Sequence, residues 1–483
     1  MIEILYNLYF DNYFLFRIIC GIWFLIDLLS YLPSFFRYFG TQYQPNSFIK
    51  NPLISKIVIL LWFISCLNLI LPGNSLLGAA LLSFLFRYFY IYSRSSNLFR
   101  GGGAVGMYPT FIINTIFLIE LGYIFNFSEI YFTFVILIMF IHLGITIFDA
   151  GLYKCLNGYY NGHGIEYALN NHLWTYWAPF FNKYKIHNIL WKIANIFISS
   201  FQVIIGILLI NPFTVILGIK LLSFGFIFLG IFLKLGTLPF LIGSYQILLP
   251  DFSLFNNYSF ESYINHSTYL YYKLNIFNYN QNLENFLIFI FLFLLFLYFL
   301  VQICIYINFY FKYKFNFFIQ ILIDFLSLYS PILIWRVFSA DVVNLLVNVY
   351  EINNNEKIRL NSEFFYNKNA KNFFAKFRFF HVAESCVLSS IFNSVKYNEN
   401  NLISAKQKLI RYTKTLDDQK ISLNNPILYE VIILNKNNNK IIETLIEEWI
   451  VKKNLVDIKY KNKGKLKLIS KFVRPFSSWG RYY

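Results

Sequence analysis

The sequence predicts an all-α polytopic membrane domain followed by a small C-terminal α/β or α+β domain. Three observations predict it. Only 13% of the 483 residues are charged and 57% are hydrophobic, where a soluble domain carries about 25% charged residues. Apolar runs long enough to cross a bilayer recur as far as residue 340, which reads as about nine or ten transmembrane helices. Beyond that point the runs shorten, become β-branched and alternate with Asn-rich turns. The boundaries that follow are 1–340 for the membrane domain, 341–460 for the soluble domain and 461–483 for a basic, aromatic tail.

Taken in order, Tyr13 to Leu32 is the first span and carries Arg17 and Asp27. Charges there are costly in lipid, so they face protein, pair, or snorkel to the interface. Leu53 to Leu71 is closed by Pro72 and Gly73, and Ser75 to Tyr92 runs into the loop Arg94 to Gly103 with its three glycines. Thr110 to Phe127 and Tyr131 to Phe148 form a hairpin of spans, with Glu120 in one and His142 in the other. Two readings stand for that pair, a proton relay or a structural hydrogen bond.

His187 to Ile210 and Phe213 to Phe232 are spans. Gly236 to Leu248 is short and holds Pro239, so it either spans or re-enters. Residues 250–283 are polar and receive no element, while Glu284 to Phe311 and Phe315 to Ile334 close the membrane domain. Trp335 to Phe338 is an aromatic and cationic anchor.

In the soluble part, Val342 to Ile352 and Lys357 to Leu360 flank three asparagines as a hairpin. Phe373 to Val395 and Leu402 to Asp417 have helical periodicity, Ile427 to Leu434 is a strand, and the chain from Ile441 is a strand or short helix.

The net charge is +17, and 24 of the 41 Lys and Arg but 12 of the 24 Asp and Glu follow Tyr350. A basic end of this kind marks the side retained by the positive-inside rule. It comes with no nucleic-acid-binding motif, so nucleic acid is not expected as a partner. Five scattered cysteines without a CxxC argue against a disulfide framework and a structural zinc site.

The stretch Phe148 to Phe180, FDAGLYKCLNGYYNGHGIEYALNNHLWTYWAPF, is the densest run of glycine, polar and aromatic residues in the membrane part. Glycines at 151, 158, 162 and 164 allow close backbone approach. Lys154, His163 and His172 are its candidate proton-carrying residues.

Four places carry a resemblance. Leu15 to Ile18 followed by Gly21, the loop Arg94 to Gly103, the segment Ala150 to Lys154 with Gly158, Gly164, Glu166-Tyr167, Leu169 and His172 to Trp174, and Trp335 to Phe338 occur in an order and spacing that resemble the HTTM family of multi-spanning membrane proteins, the vitamin K-dependent gamma-carboxylase-like scaffold. The resemblance spans roughly residues 14–360. It implies that Lys154 matches the family's catalytic lysine, a base, with His163 or His172 assisting on a quinone- or lipid-linked substrate. The match departs elsewhere: the Arg94 to Tyr108 loop has no histidine, and Gly103-Ala104 stand where the family commonly has an acid.

The abundance of residues with A/T-rich codons, including 58 Phe and 38 Tyr, resembles that of ciliate-type mitochondrially encoded proteins. The expectation is therefore a multi-pass protein of the mitochondrial inner membrane with its basic C-terminal domain on the matrix side. Three functions stand: a non-catalytic accessory subunit of a respiratory-chain complex, an HTTM-type enzyme with Lys154 as base, or a divergent proton-translocating core subunit. The first is preferred, with cytochrome c oxidase slightly ahead of complex I as host, a choice that no residue dictates. Expected partners are other subunits of such a complex and membrane lipids. No cofactor or metal is expected beyond bound phospholipid.

Overall fold

A computed structural model describes residues 2–32, 51–86, 103–156, 159, 163–175, 177–183, 186–248, 280–311, 313, 315–322, 343–354, 356–360, 388, 391–392, 395, 402–414, 416, 425–437 and 440–461. The Arg94 to Gly102 stretch, the polar loop 250–279, most of the expected last span, the Trp335 to Phe338 anchor, most of the expected helix 373–395 and the tail lie outside these residues.

The membrane part is built from α1 (Ile2–Tyr31), α2 (Pro52–Ile70), α3 (Leu76–Phe86), α4 (Gly103–Ile124), α5 (Glu129–Leu156), α6 (Gly164–Asn170), α7 (Ala178–Lys183), α8 (Asn188–Ile210), α9 (Val215–Phe232), α10 (Leu238–Gly243) and α11 (Gln281–Tyr310). Among the described residues, six helices are long and apolar enough to cross a membrane, and three shorter apolar ones accompany them. The protein is membrane-embedded. The helix ends follow local chemistry. Asn51 caps α2 by accepting from Leu53 N at 2.9 Å, with Pro52 in the first turn. The α4–α5 hairpin turns at Asn126, whose φ of 51° is the left-handed conformation Asn tolerates.

The two charges of α1 are buried, not anchored at an interface. Arg17 is fully buried and pairs with Glu120 of α4 at 3.2 Å. Its guanidinium also donates to the carbonyls of Leu71 and Gly73, both at 2.9 Å, and to Ser75 Oγ at 3.3 Å. Glu120 is further held by Tyr13 OH at 2.9 Å and Ser75 N at 3.1 Å. The α2–α3 turn, where Gly73 has φ +105°, thus wraps the ion pair. These further hydrogen bonds to NH1, NH2 and the carboxylate offset part of the cost of burying the pair. Asp27, nearly three turns further on, accepts from Thr237 Oγ1 at 3.3 Å. The expected pairing of Glu120 with His142 does not occur. The His142 ring packs on Phe111 at 4.7 Å and on Tyr298 at 4.3 Å, and Phe111 lies nine residues, about 13 Å, from Glu120 along α4.

The 11-residue piece Leu238–Leu248 spans about 19 Å as an α-helical turn followed by a 3₁₀ turn. That is shorter than a hydrocarbon core of about 30 Å. It folds back along α9: Gly236 stands at the turn with φ +65°, and Leu238, Leu241, Ile242, Tyr245 and Leu248 are all buried in protein. A Cβ at Gly230 of α9 would stand 2.8 Å from Pro239, so the glycine is what lets the returning chain lie against its own span.

The C-terminal part is one antiparallel sheet in the order β2-β1-β3-β4-β5, made of β1 (Leu345–Asn353), β2 (Glu356–Leu360), β3 (Ile427–Asn437), β4 (Lys440–Lys452) and β5 (Leu455–Lys461), with helix α12 (Leu402–Lys414). The expected hairpin over 342–360 is present, with Asn354 in its turn at φ 46°. On one face of the sheet Val349 is opposite Tyr429 and Tyr429 opposite Trp449. Tyr412 of α12 packs on Tyr429 and Phe392 on Trp449, closing that side.

Candidate functional site

Lys154 lies in the last turn of α5, where α5 crosses α8 closely. A Cβ at Gly151 would stand 2.6 Å from Val203 N, one at Gly144 2.9 Å from Gly206 O, and one at Gly206 2.5 Å from Phe148 Cβ. Glycines therefore bring the two backbones together, as small residues do between membrane helices. Lys154 Nζ donates to Gln202 Oε1 at 2.7 Å and lies 5.7 Å from the Tyr159 ring. The lysine is 4% exposed. Among the described residues it has no carboxylate within ion-pair distance.

Gln202 is one of three amides on α8. Asn188, Asn195 and Gln202 are seven residues apart, so they stack along one side of the helix about 10 Å from one another. Each holds a different part of the chain. Gln202 holds Lys154 of α5. Asn195 Oδ1 accepts from Ile165 N at 3.0 Å, supplying the cap that α6 lacks from its own N-terminal His163. Asn188 Oδ1 accepts from Lys436 Nζ at 2.7 Å, which brings in β3.

The same β3 lysine forms an ion pair with Glu166 of α6 at 2.7 Å, with side-chain exposures of 9% and 6%. Its backbone N–H donates to Tyr167 OH at 3.1 Å. Burial and the neighbouring Glu166 push the Tyr167 phenol up to about 12, so it remains protonated in this contact. His163, at the N-cap of α6, has Nδ1 3.8 Å from Glu166 Oε2 and its ring 5.7 Å from Tyr167.

The turn after α6 does a second job. Asn171 Nδ2 donates to the carbonyls of Val343 at 2.8 Å and Leu345 at 2.7 Å. Thr175 Oγ1 and Trp177 Nε1 donate to the last-turn carbonyls of α9, Phe232 O at 2.5 Å and Ile231 O at 3.0 Å. Those carbonyls have no partner within their own helix. Lys234 closes the seam, its N donating to Trp174 O and its Nζ to His172 O, both at 2.7 Å. Tyr167, Leu169, Leu173, Trp174, Trp191, Leu233 and Leu235 share one apolar core with Val343, Leu345, Leu346, Ile432 and Leu434 of the sheet region.

His172 is half-buried in this seam and bonds to the backbone of Val347. Burial, with the positive charges of Arg359 and Lys234 behind it, pushes its imidazole down to about 4, so it is neutral near pH 7.

The three candidate residues thus have separate partners: Gln202 and Tyr159 for Lys154, Glu166 and Tyr167 for His163, and Val347 with two cations for His172. A base working with a second titratable group needs that group within hydrogen-bond reach. Lys154 has an amide there instead. Among the described residues no group of three His, Cys, Asp or Glu could hold a metal ion. Sequence reasoning missed Asn171, Asn195, Gln202 and Lys436. The seven-residue spacing of amides in an otherwise apolar helix was the available signal for two of them.

No family model matches the chain, and no curated protein or solved structure matches it.

Proposed function

We propose that the chain is a non-catalytic accessory subunit of a respiratory-chain complex in the mitochondrial inner membrane. The observation that carries the non-catalytic part is the packing of Lys154. An HTTM-type enzyme would present this lysine to a substrate, with a titratable partner beside it. Instead it is enclosed between α5 and α8 and engaged by Gln202 at 2.7 Å. The stretch around it binds the membrane bundle to the sheet, which is work for a scaffold. The outer sides of α8, α9 and α11 carry exposed Phe197, Ile204, Phe224, Phe228, Phe289 and Phe293, apolar surface suited to lipid and to the spans of other subunits. The mitochondrial assignment rests on composition alone, and the matrix-side placement of the sheet on its basic charge.

Native membranes extracted in mild detergent and resolved on a native gel, with mass spectrometry of each band, test the proposal. Stoichiometric co-migration with a respiratory complex is expected and identifies the host. Migration as a monomer or small oligomer would overturn it.

A further inference from the structure

The spans α5 and α11 run parallel along a shared seam. Glu284, at the start of α11, accepts from Ser128 N at 3.1 Å, just before α5 begins. Further along, Tyr131 packs on Phe291 with ring centroids 5.9 Å apart, and His142 on Tyr298 at 4.3 Å. Ile145 then shares one apolar cluster with Tyr298, Val301 and Ile305. The seam changes character along its length. In the first half every residue of 134–141 on α5 and of 286–297 on α11 is apolar. In the second half His142, Thr146 and Asp149 follow one another along one side of α5, and Tyr298, Gln302 and Tyr306 along one side of α11. All but Tyr306 are buried, Asp149 completely, and Tyr306 is half-buried. The Tyr298 hydroxyl meets Thr146, and that of Tyr306 meets Asp149 and Gln302. Gln302 is 3% exposed, and its Oε1 has no hydrogen-bond donor among the described residues.

His142 stands at the middle of the 28-residue candidate span Glu129–Leu156, and Asp149 lies about 10 Å nearer its far end. From that end the chain passes to α6 and, through Glu166, to the sheet. Ionisable groups at membrane depth are costly, and in a file they mark ion or proton pathways. We infer that this file is a proton half-path, entered beside Tyr306 on the sheet side of the membrane and ending at His142. A water held by Gln302 Oε1 would join Tyr306 and Asp149 to Tyr298, and protons would pass by exchange of O–H and N–H bonds alone. The apolar half of the seam closes the route beyond His142, so the chain by itself takes up and returns protons on one side. The inference goes beyond the proposed function and does not depend on which complex hosts the chain.

The test uses the purified full chain in liposomes, isotope-labelled at histidine and transferred to heavy water. NMR follows exchange of the His142 imidazole, its signal assigned with His142→Gln. Exchange well ahead of the backbone amides of the same turn of α5 is expected. Gln302→Leu should slow it about tenfold, the effect of losing one hydrogen bond to the passing water. Asp149→Asn keeps the shape but cannot carry a proton, and should slow it as well. Ile303→Leu, on the exposed side of the same helix, should leave it unchanged. Exchange no faster than that of the neighbouring amides in wild type would overturn the inference. So would equal rates in wild type, Gln302→Leu and Asp149→Asn, or an equal slowing by Ile303→Leu.

Discussion

Lys436 of β3 meets Glu166 of α6 across 270 positions of sequence, Nζ to Oε2 at 2.7 Å, with both side chains nearly out of solvent. This contact places the central stretch in a structural role. It ties α6, through its buried acid, to the middle strand of the sheet. Removing one member leaves a charge buried without its counterpart, which costs on the order of 3–5 kcal/mol.

Lys436→Met should therefore lower the unfolding midpoint strongly, and Glu166→Gln should do the same. The double variant should lose less than the sum of the two, because no charge is then left alone. A thermal or denaturant series in detergent, arranged as a double-mutant cycle, measures this.

Asn171→Ala deletes both side-chain donors to the Val343 and Leu345 carbonyls. Those carbonyls are then buried unsatisfied, at about 1–3 kcal/mol each. Accelerated proteolysis between the bundle and β1 is expected, while Asn170→Ala, whose amide serves only the preceding turn of α6, should leave the digestion pattern unchanged.

Gly151 is a point of close approach between α5 and α8. A Cβ there would meet backbone atoms, Val203 N at 2.6 Å and Ser199 O at 2.9 Å, which cannot give way as a side-chain tip can. Gly151→Ala should part the helices and reduce folded yield, at a cost of at least 1–3 kcal/mol. At Gly225 the added carbon meets only Phe201 Cε1 at 3.3 Å, so Gly225→Ala should be tolerated. Monodispersity in size-exclusion chromatography compares the two.

His172 gives the protein a pH dependence with a defined sign. Its folded pKa, about 4, lies below the roughly 6.5 of an unfolded histidine. The unfolded chain therefore binds more protons between these values, and stability rises with pH there. The contribution is complete above about pH 6.5 and is lost as pH falls towards 4. Thermal midpoints across that window should fall on acidification, and His172→Gln should flatten the portion due to this residue.

The sequence made much of this legible and some of it not. The spans around Trp62, Leu143 and Phe226, the α4–α5 hairpin and the Asn354 turn follow from periodicity and turn chemistry, which are local. The sequence allowed Leu238–Leu248 either to span or to re-enter, and the packing of its Pro239 against Gly230 of α9 was not legible there. The partners of Arg17 and Asp27 were hidden, because Glu120 and Thr237 come from elements whose adjacency only the packing creates. The same holds for Lys154. Its setting in Ala-Gly-Leu-Tyr-Lys drew attention to the right stretch, yet its partner, Gln202, lies in a helix read only as an apolar span. The strand β5 was missed because its apolar positions, Leu455, Val456, Ile458 and Tyr460, are interleaved with charge in a basic sequence.

If Lys154 serves packing, Lys154→Gln should preserve a polar contact with Gln202 and leave both assembly and folded yield unchanged. If it serves as a base, that substitution should abolish a measurable activity in the purified chain while leaving the fold intact.

The most direct measurement of the central claim is hydrogen–deuterium exchange on the full chain with Lys436→Met beside wild type. If the central stretch is the platform on which the sheet rests, amides of 164–175 and of 427–437 should lose protection together, with α2 and α3 unaffected. Loss of protection in the sheet alone, with 164–175 exchanging as in wild type, would contradict it.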